Sequence, residues 1–269
     1  MVASELIAKS KEYRQKILKY IIGAKAGHTG GSLSCIDILN VLYNVVLNVS
    51  PDNISSPDRD RYIQSKGHCV EALFVVLADK GFFPEEELNT LCHYQSHYIG
   101  HPTRKVNGVE QNTGALGHGL PISVGTALAA KMDKKKYRVF TLLGDGELPE
   151  GSNWEAALTA AHYKLDNLCA IVDKNSLQIT GPTAEVCNTD PVDLKFESFG
   201  WAVKQVDGHD LQAVKEALES VPFEEGKPSL LIAHTIKGKG VSFMEHNISW
   251  HHGVPNAEQY AQAIAELNA

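Results

Sequence analysis

The chain has 269 residues, 43% of them hydrophobic and 21% charged, and its 25 Lys plus Arg against 32 Asp plus Glu give a formal charge of −7. That is ordinary globular composition, with enough length for a substantial core, and it reads as one domain over residues 1–269. The acidic balance, with no basic run beyond Lys134–Lys136, excludes a nucleic-acid or anionic-membrane binder, and no apolar run approaches membrane-spanning length.

In chain order, 3.6-residue periodicity predicts an amphipathic helix over Ser4–Ile22, whose acids and broken apolar run distinguish it from a signal peptide. A glycine-rich connection, Gly27-His28-Thr29-Gly30-Gly31-Ser32, leads to a second helix over Cys35–Leu47. Asn48–Asp60 is a loop. Arg61–Gln64 is a short strand that runs into Ser65-Lys66-Gly67-His68, and helices follow at Cys69–Lys80 and from Pro84. Tyr94–Gly119 is irregular and rich in Gly and His, a length that points to a functional loop. A small-residue helix over Leu120–Met132 precedes strand Tyr137–Leu143, helix Ser152–Tyr163 and strand Leu168–Asp173. Then come strand Gly200–Val206, helix Asp210–Ser220, strand Ser229–Thr235 and a last helix, Ala257–Leu267. Apolar strands alternating with helices predict an α/β fold: a doubly wound, mostly parallel sheet with helices on both faces. The cysteines at 35, 69, 92, 169 and 187 form no C-x-x-C pair and read as reduced, mostly buried thiols of a cytoplasmic protein.

The chemistry concentrates where two strands end. RVFTLL runs into Gly144-Asp145-Gly146, and LCAIVD runs into Lys174-Asn175-Ser176-Leu177. Mg²⁺ prefers a tight shell of hard oxygens shared with phosphate. The Asp145 carboxylate, the Asn175 carboxamide and a backbone carbonyl such as that of Leu177 supply that shell. Gly144 and Gly146 allow close backbone approach to an anion, and the helix starting near Gly151–Trp154 is expected to turn its free N–H groups toward the same phosphates. Four segments pair histidine with glycine: His28-x-Gly-Gly, Ser65-x-Gly-His68, Gly100-His101-Pro102 and His252-Gly253. Imidazoles suit proton transfer on hydroxyls near neutral pH. Thr113–Gly119 adds a glycine-rich turn that does not fit G-x-G-x-x-G. A rival reading takes His93, His97 and His101, spaced by four, as zinc ligands on one helix face. Gly100 and Pro102 argue against a helix there, and no H-E-x-x-H is present.

The segments AGHTGGSLS, YIQSKGH, IGHPT, TGALGHGL, LLGDGELPEGSNWEAA, VDKNSLQITG and HHGVP together resemble the thiamine-diphosphate-binding N-terminal half of transketolase, from about Glu5 to Pro255. The resemblance implies a thiamine diphosphate-binding fold with Asp145, Asn175 and the Leu177 carbonyl on Mg²⁺, or on another divalent ion such as Ca²⁺ or Mn²⁺. It implies that Gly146, His68 and His28 contact the diphosphate or the sugar, that Gly114 and Leu116 bracket the aminopyrimidine, and that Ile179 packs on the thiazolium. His28, His68, His101 and His252 would line the sugar channel, while Glu150 and Glu155 would lie at an interface between subunits and communicate with the cofactor. The implied reaction is transfer of a two-carbon ketol unit from a ketose phosphate to an aldose phosphate, as in the pentose phosphate pathway. The pyrimidine-binding and C-terminal domains of full-length relatives are absent from the sequence, so the resemblance implies a split enzyme. A separate C-terminal subunit would bring the catalytic glutamate to an α₂β₂ heterotetramer. A thiamine enzyme acting on a 2-oxo acid or a specialised sugar, and a non-catalytic cofactor-binding paralogue, are the alternatives; retained His28, His68 and His101 favour a polyhydroxy donor.

Overall fold

The computed structural model describes all residues, Met1–Ala269. Its elements are α1 (Ala3–Ala24), α2 (Thr29–Val41), β1 (Arg61–Gln64), α3 (Val70–Asp79), α4 (Gly119–Met132), β2 (Val139–Gly144), α5 (Gly151–His162) and β3 (Leu168–Lys174). There follow α6 (Thr183–Val186), α7 (Val192–Phe199), β4 (Ala202–Asp207), α8 (Leu211–Glu219), β5 (Ser229–His234) and α9 (Ala257–Asn268). No helix is long and apolar enough to cross a membrane.

The strands form one five-stranded sheet in the order β1-β2-β3-β5-β4, and every pairing is parallel. The register aligns Phe140 with Cys169 and Leu142 with Ile171, and Ile171 in turn with Leu231. Because side chains alternate across a strand, these residues line one face and pack with α1, α2, α3, α8 and α9. Val139, Leu143, Ala170, Val172, Leu230 and Ile232 line the opposite face and pack with α4, α5 and α7. Period-2 alternation of continuously apolar strands therefore makes two cores, as a sheet covered on both faces requires. The steps from β2 to β3 and from β3 to β4 advance across the sheet with α5 and α7 on one face. The step from β4 back to β5 places α8 on the other, as crossovers of a single hand demand.

Three sequence expectations need correction. The second helix begins at Thr29 and not at Cys35, taking in Gly30 and Gly31. All thirteen residues of α2 are buried, and a Cβ on Gly31 would lie 2.5 Å from the Cys69 sulfur, so tight packing outweighs the helix cost of glycine. That helix gives way at Leu42–Val46 to a wider π turn. The helices α6 and α7 have no counterpart in the sequence pattern, because Thr183–Phe199 is a polar, proline-interrupted stretch with little periodicity. The five thiols are free, with Cys35, Cys69 and Cys169 buried and Cys92 and Cys187 exposed.

Candidate active site

The carboxyl ends of β1, β2, β3 and β5 open into a cavity of about 440 Å³, the edge at which open parallel sheets bind ligands. Its lining includes His28, which caps α2, and Gly31 within it, Lys66 and His68 after β1, His101, Gly114 and Leu116 from the long irregular segment, and Gly144–Glu147 at the end of β2. Asn175 and residues 177–180 follow β3, and Lys237, His251 and His252 complete the lining.

The floor is built where the β2 and β3 tips meet. Gly144 pairs with Asp173 in register, which brings Asp145 and Asn175 to the same edge of the sheet, both on the cavity wall. The Asp145 carboxylate accepts N–H bonds from Gly146 (2.8 Å) and Ser176. Asn175 Nδ2 donates to Asp173 Oδ2 at 3.3 Å, which turns Oδ1 away from that carboxylate, and Leu177 N–H donates to Oδ1 at 3.2 Å. Asp145 is 4% exposed and has no Lys or Arg partner. Burial, and then the neighbouring charge of Asp173, pushes its carboxyl up to about 6. A buried carboxylate without a counter-charge, a carboxamide oxygen and a nearby carbonyl are a hard-oxygen donor set, so these residues fit a divalent cation. Gln178 Nε2 is buried without a partner on the same cavity wall, and suits an oxygen anion. Gly146 is required here, since a Cβ would lie 2.8 Å from Gln178 Cγ.

Beneath the floor, Asp173 is fully buried and accepts from Ser34 Oγ (2.6 Å), Thr235 Oγ1 and the ammonium of Lys66. Glu147, 1% exposed, ties three loops together through Gly117 N–H (2.9 Å), Gly144 N–H (3.1 Å) and Ser65 Oγ. Glu71 accepts from His28 N–H (3.2 Å) and Ser32 Oγ (2.8 Å), fixing the start of α2, and burial raises its carboxyl to about 7.

Above the floor the imidazoles converge. His28 has ring centroids of His252 at 4.3 Å, His68 at 5.2 Å and His101 at 6.0 Å. His251 stacks on His68 at 5.6 Å and 21°. Burial, followed by neighbouring groups, lowers His28 to about 4 and His251 to about 3, so both rings are uncharged in the neutral range. Burial also lowers His101. Gly114, at φ +135°, turns the 113–119 segment against His101; a Cβ there would lie 2.5 Å from the ring.

The structure thus brings together His28, His68, His101, His252, Gly114, Leu116, Gly144, Asp145, Gly146, Asn175, Leu177 and Ile179. It leaves Glu150 and Glu155 outside, exposed at the start of α5. The expectation that this helix aims its N-terminus at the site is also corrected: a short turn at Asp145–Glu147 intervenes, and Ser152 Oγ donates to Gly117 O at 2.6 Å instead. The rival zinc reading fails because residues 93–101 form no helix and His93 and His97 are exposed, apart from His101 in the cavity. Sequence reasoning misses Lys66, Asp173, Glu147, Glu71 and Gln178, and does not separate His251 from its neighbour His252; both line the cavity. Lys237 is 2% exposed, with Nζ 2.7 Å from His251 Nδ1 and 3.5 Å from the Leu177 carbonyl. Burial, then Lys66, lowers it to about 8. The available signal is position: Lys66, Glu147 and Asp173 each stand within three residues of a strand's carboxyl end.

A family profile, the thiamine diphosphate binding domain of transketolase, matches residues 9–267. The chain belongs to this transketolase family. It is 48% identical over 268 residues to an apulose-4-phosphate transketolase subunit of Phocaeicola vulgatus, covering 100% of this chain and 95% of that protein. It is 40% identical over 255 residues to a 6-deoxy-6-sulfo-D-fructose transketolase subunit of a Clostridium species, covering 94% and 93% of the two chains. The transketolase structure from Campylobacter jejuni superposes with a TM-score of 0.91 at 31% identity, over 98% of this chain but only 43% of that one. The chain thus spans under half the length of that solved transketolase and nearly all of the two subunit relatives. The parallel sheet expected from sequence is the transketolase fold.

Proposed function

We propose that this chain is the diphosphate-binding subunit of a two-chain transketolase and that it transfers a ketol unit from a specialised ketose. The observation that carries the reading is the oxygen floor: Asp145, Asn175 and the Leu177 carbonyl beside an unpartnered Gln178 amide and a buried Lys237. Asp145, Asn175 and Leu177 O would hold the divalent cation, Gln178 and Lys237 would bind the diphosphate, and Gly114, Leu116 and Ile179 would take the ring system. The chemistry that thiamine diphosphate supplies when bound is a nucleophilic carbon able to carry a two-carbon ketol unit. The imidazoles of His28, His68, His101, His251 and His252 orient the sugar hydroxyls and exchange protons with them. A row of such groups suits a polyhydroxy donor better than a 2-oxo acid.

Two features support a partner chain. The chain aligns with relatives named as subunits over 93–95% of their length. Ile179, at the mouth, is 58% exposed, an apolar group awaiting cover. A pyrimidine-binding chain would bring the catalytic glutamate to that mouth and complete an α₂β₂ assembly in the cytoplasm. The same two relatives support a branched or sulfonated sugar over ordinary pentose phosphates.

The test combines this chain with its pyrimidine-domain partner, Mg²⁺ and thiamine diphosphate, and measures ketol transfer from apulose 4-phosphate, 6-deoxy-6-sulfofructose and xylulose 5-phosphate. Transfer from one of the first two, only with both chains present, is expected. Full activity from this chain alone removes the split reading. CO₂ release from pyruvate favours the 2-oxo acid alternative, and cofactor binding without turnover favours the non-catalytic one.

A further inference from the structure

His28, His251 and His252 each present one ring nitrogen, and these nitrogens lie within 4.8 Å of one another. The ring centroids are 4.3 Å apart for His28 and His252, 4.6 Å for His251 and His252, and 5.5 Å for His28 and His251. The three come from segments far apart in sequence, the start of α2 and the turn at 248–252. Thr29 Oγ1 donates to the Gly253 carbonyl at 2.6 Å and fastens those segments together. Lys237 Nζ lies 2.7 Å from Nδ1 of His251; for Nε2 to take a metal, the ring proton must sit on Nδ1 and the Lys237 ammonium must turn from it to the Leu177 carbonyl, 3.5 Å away.

The donor chemistry of this cluster is opposite to that of the floor. Asp145, Asn175 and Leu177 O offer only hard oxygens, which suit Mg²⁺. Three imidazoles suit borderline dications, with zinc taking three histidines and an open fourth position in many sites. We propose that His28, His251 and His252 form a second metal site, which takes a nitrogen-preferring dication such as Zn²⁺ and turns its open position into the cavity. Tetrahedral Zn–N bonds place ligand nitrogens about 3.3 Å apart. The contraction from 4.8 Å falls mainly on His252, whose exposed side chain is free to rotate. Lys237 is the cation facing the cluster, whereas Lys66 is tied to Asp173, so binding is weaker than at a buried structural zinc site. An ion here draws His28 and His252 away from sugar hydroxyls and blocks the channel. That inhibition rests on the function proposed above; the site itself does not.

The experiment is a calorimetric titration of Zn²⁺ into the full chain with Mg²⁺ in large excess, repeated with Co²⁺ to read the visible spectrum. One saturable equivalent and a spectrum of four-coordinate, nitrogen-ligated cobalt are expected. His28→Gln and His252→Gln should each weaken zinc about 10- to 100-fold or more, since even outer partners of metal ligands are worth that much. Asp145→Asn, and the double change His93→Ala with His97→Ala, should leave zinc binding intact. No saturable zinc, binding that survives both cavity substitutions, or binding lost with the exposed His93 and His97 pair overturns the proposal. Zinc binding without ketol transfer would leave this site standing and remove the function; transfer without zinc binding would do the reverse.

Discussion

At the floor of the cavity the buried groups are answered from within the chain: Lys66 by Asp173, Glu147 by three donors, Lys237 by His251 and the Leu177 carbonyl. Asp145 faces the cavity with no Lys or Arg partner, and the Gln178 Nε2 beside it has no hydrogen-bond partner. At the rim, Ile179, Glu150 and Glu155 face outward with no fixed partners. Buried polar groups persist when hydrogen-bonded or paired, so apart from Asp145 and Gln178, which face the cavity, the floor is finished by this chain's own folding. The rim has the character of a surface that another chain covers. The contrast predicts large effects from floor substitutions in the isolated chain and small ones from the rim.

The largest effect belongs to Asp173→Ala, which strands the Lys66 ammonium in a fully buried position. Urea unfolding should show a loss of about 3–5 kcal/mol; a loss below 1 kcal/mol would mean that the pair is not held as described. Next is Glu71. Its carboxyl is raised from 4.5 to about 7, so the folded state holds the proton more tightly than the unfolded one. Its contribution to stability is present at low pH and is lost as pH rises from 4.5 to about 7, roughly 3 kcal/mol in all. Glu71→Gln should remove that portion of the pH dependence and make the chain more stable than wild type at pH 8. A variant that keeps the wild-type pH profile assigns the dependence elsewhere. Asp145→Ala should weaken Mg²⁺-dependent thiamine diphosphate binding about 100-fold or more with little change in Tm, read by fluorescence titration. In the wild-type chain the proton competes with the metal, so affinity should fall about tenfold per unit below pH 6. The smallest effect is at the rim: Glu155→Gln should change the stability of this chain by less than about 0.5 kcal/mol, yet weaken sedimentation of the two-chain complex. A destabilised isolated chain would erase the distinction between floor and rim.

The same contrast explains what is legible without coordinates. Apolar strands such as Val139–Gly144 and Leu168–Lys174 carry a pattern that survives folding, so the parallel sheet, with Asp145 and Asn175 following adjacent strand ends, is visible in the sequence. Period alone does not reveal α2 over Gly30–Gly31, where Cys69 and Lys237 pack against the glycine backbone. Lys237 looks like any surface lysine next to Gly238 and Gly240; only the fold buries it against His251. Adjacent His251 and His252 are indistinguishable by motif, and the structure gives them different surroundings, one half-buried on Lys237 and one exposed.

The central claim is that one divalent ion is shared by the β2 and β3 tips. A crystal of the chain grown with Mn²⁺ and thiamine diphosphate, examined by anomalous scattering, tests it most directly. The account predicts a peak within coordination distance of the Asp145 carboxylate, the Asn175 carboxamide oxygen and the Leu177 carbonyl, absent in Asp145→Ala. A peak on other residues, or one that persists in that variant, would contradict it.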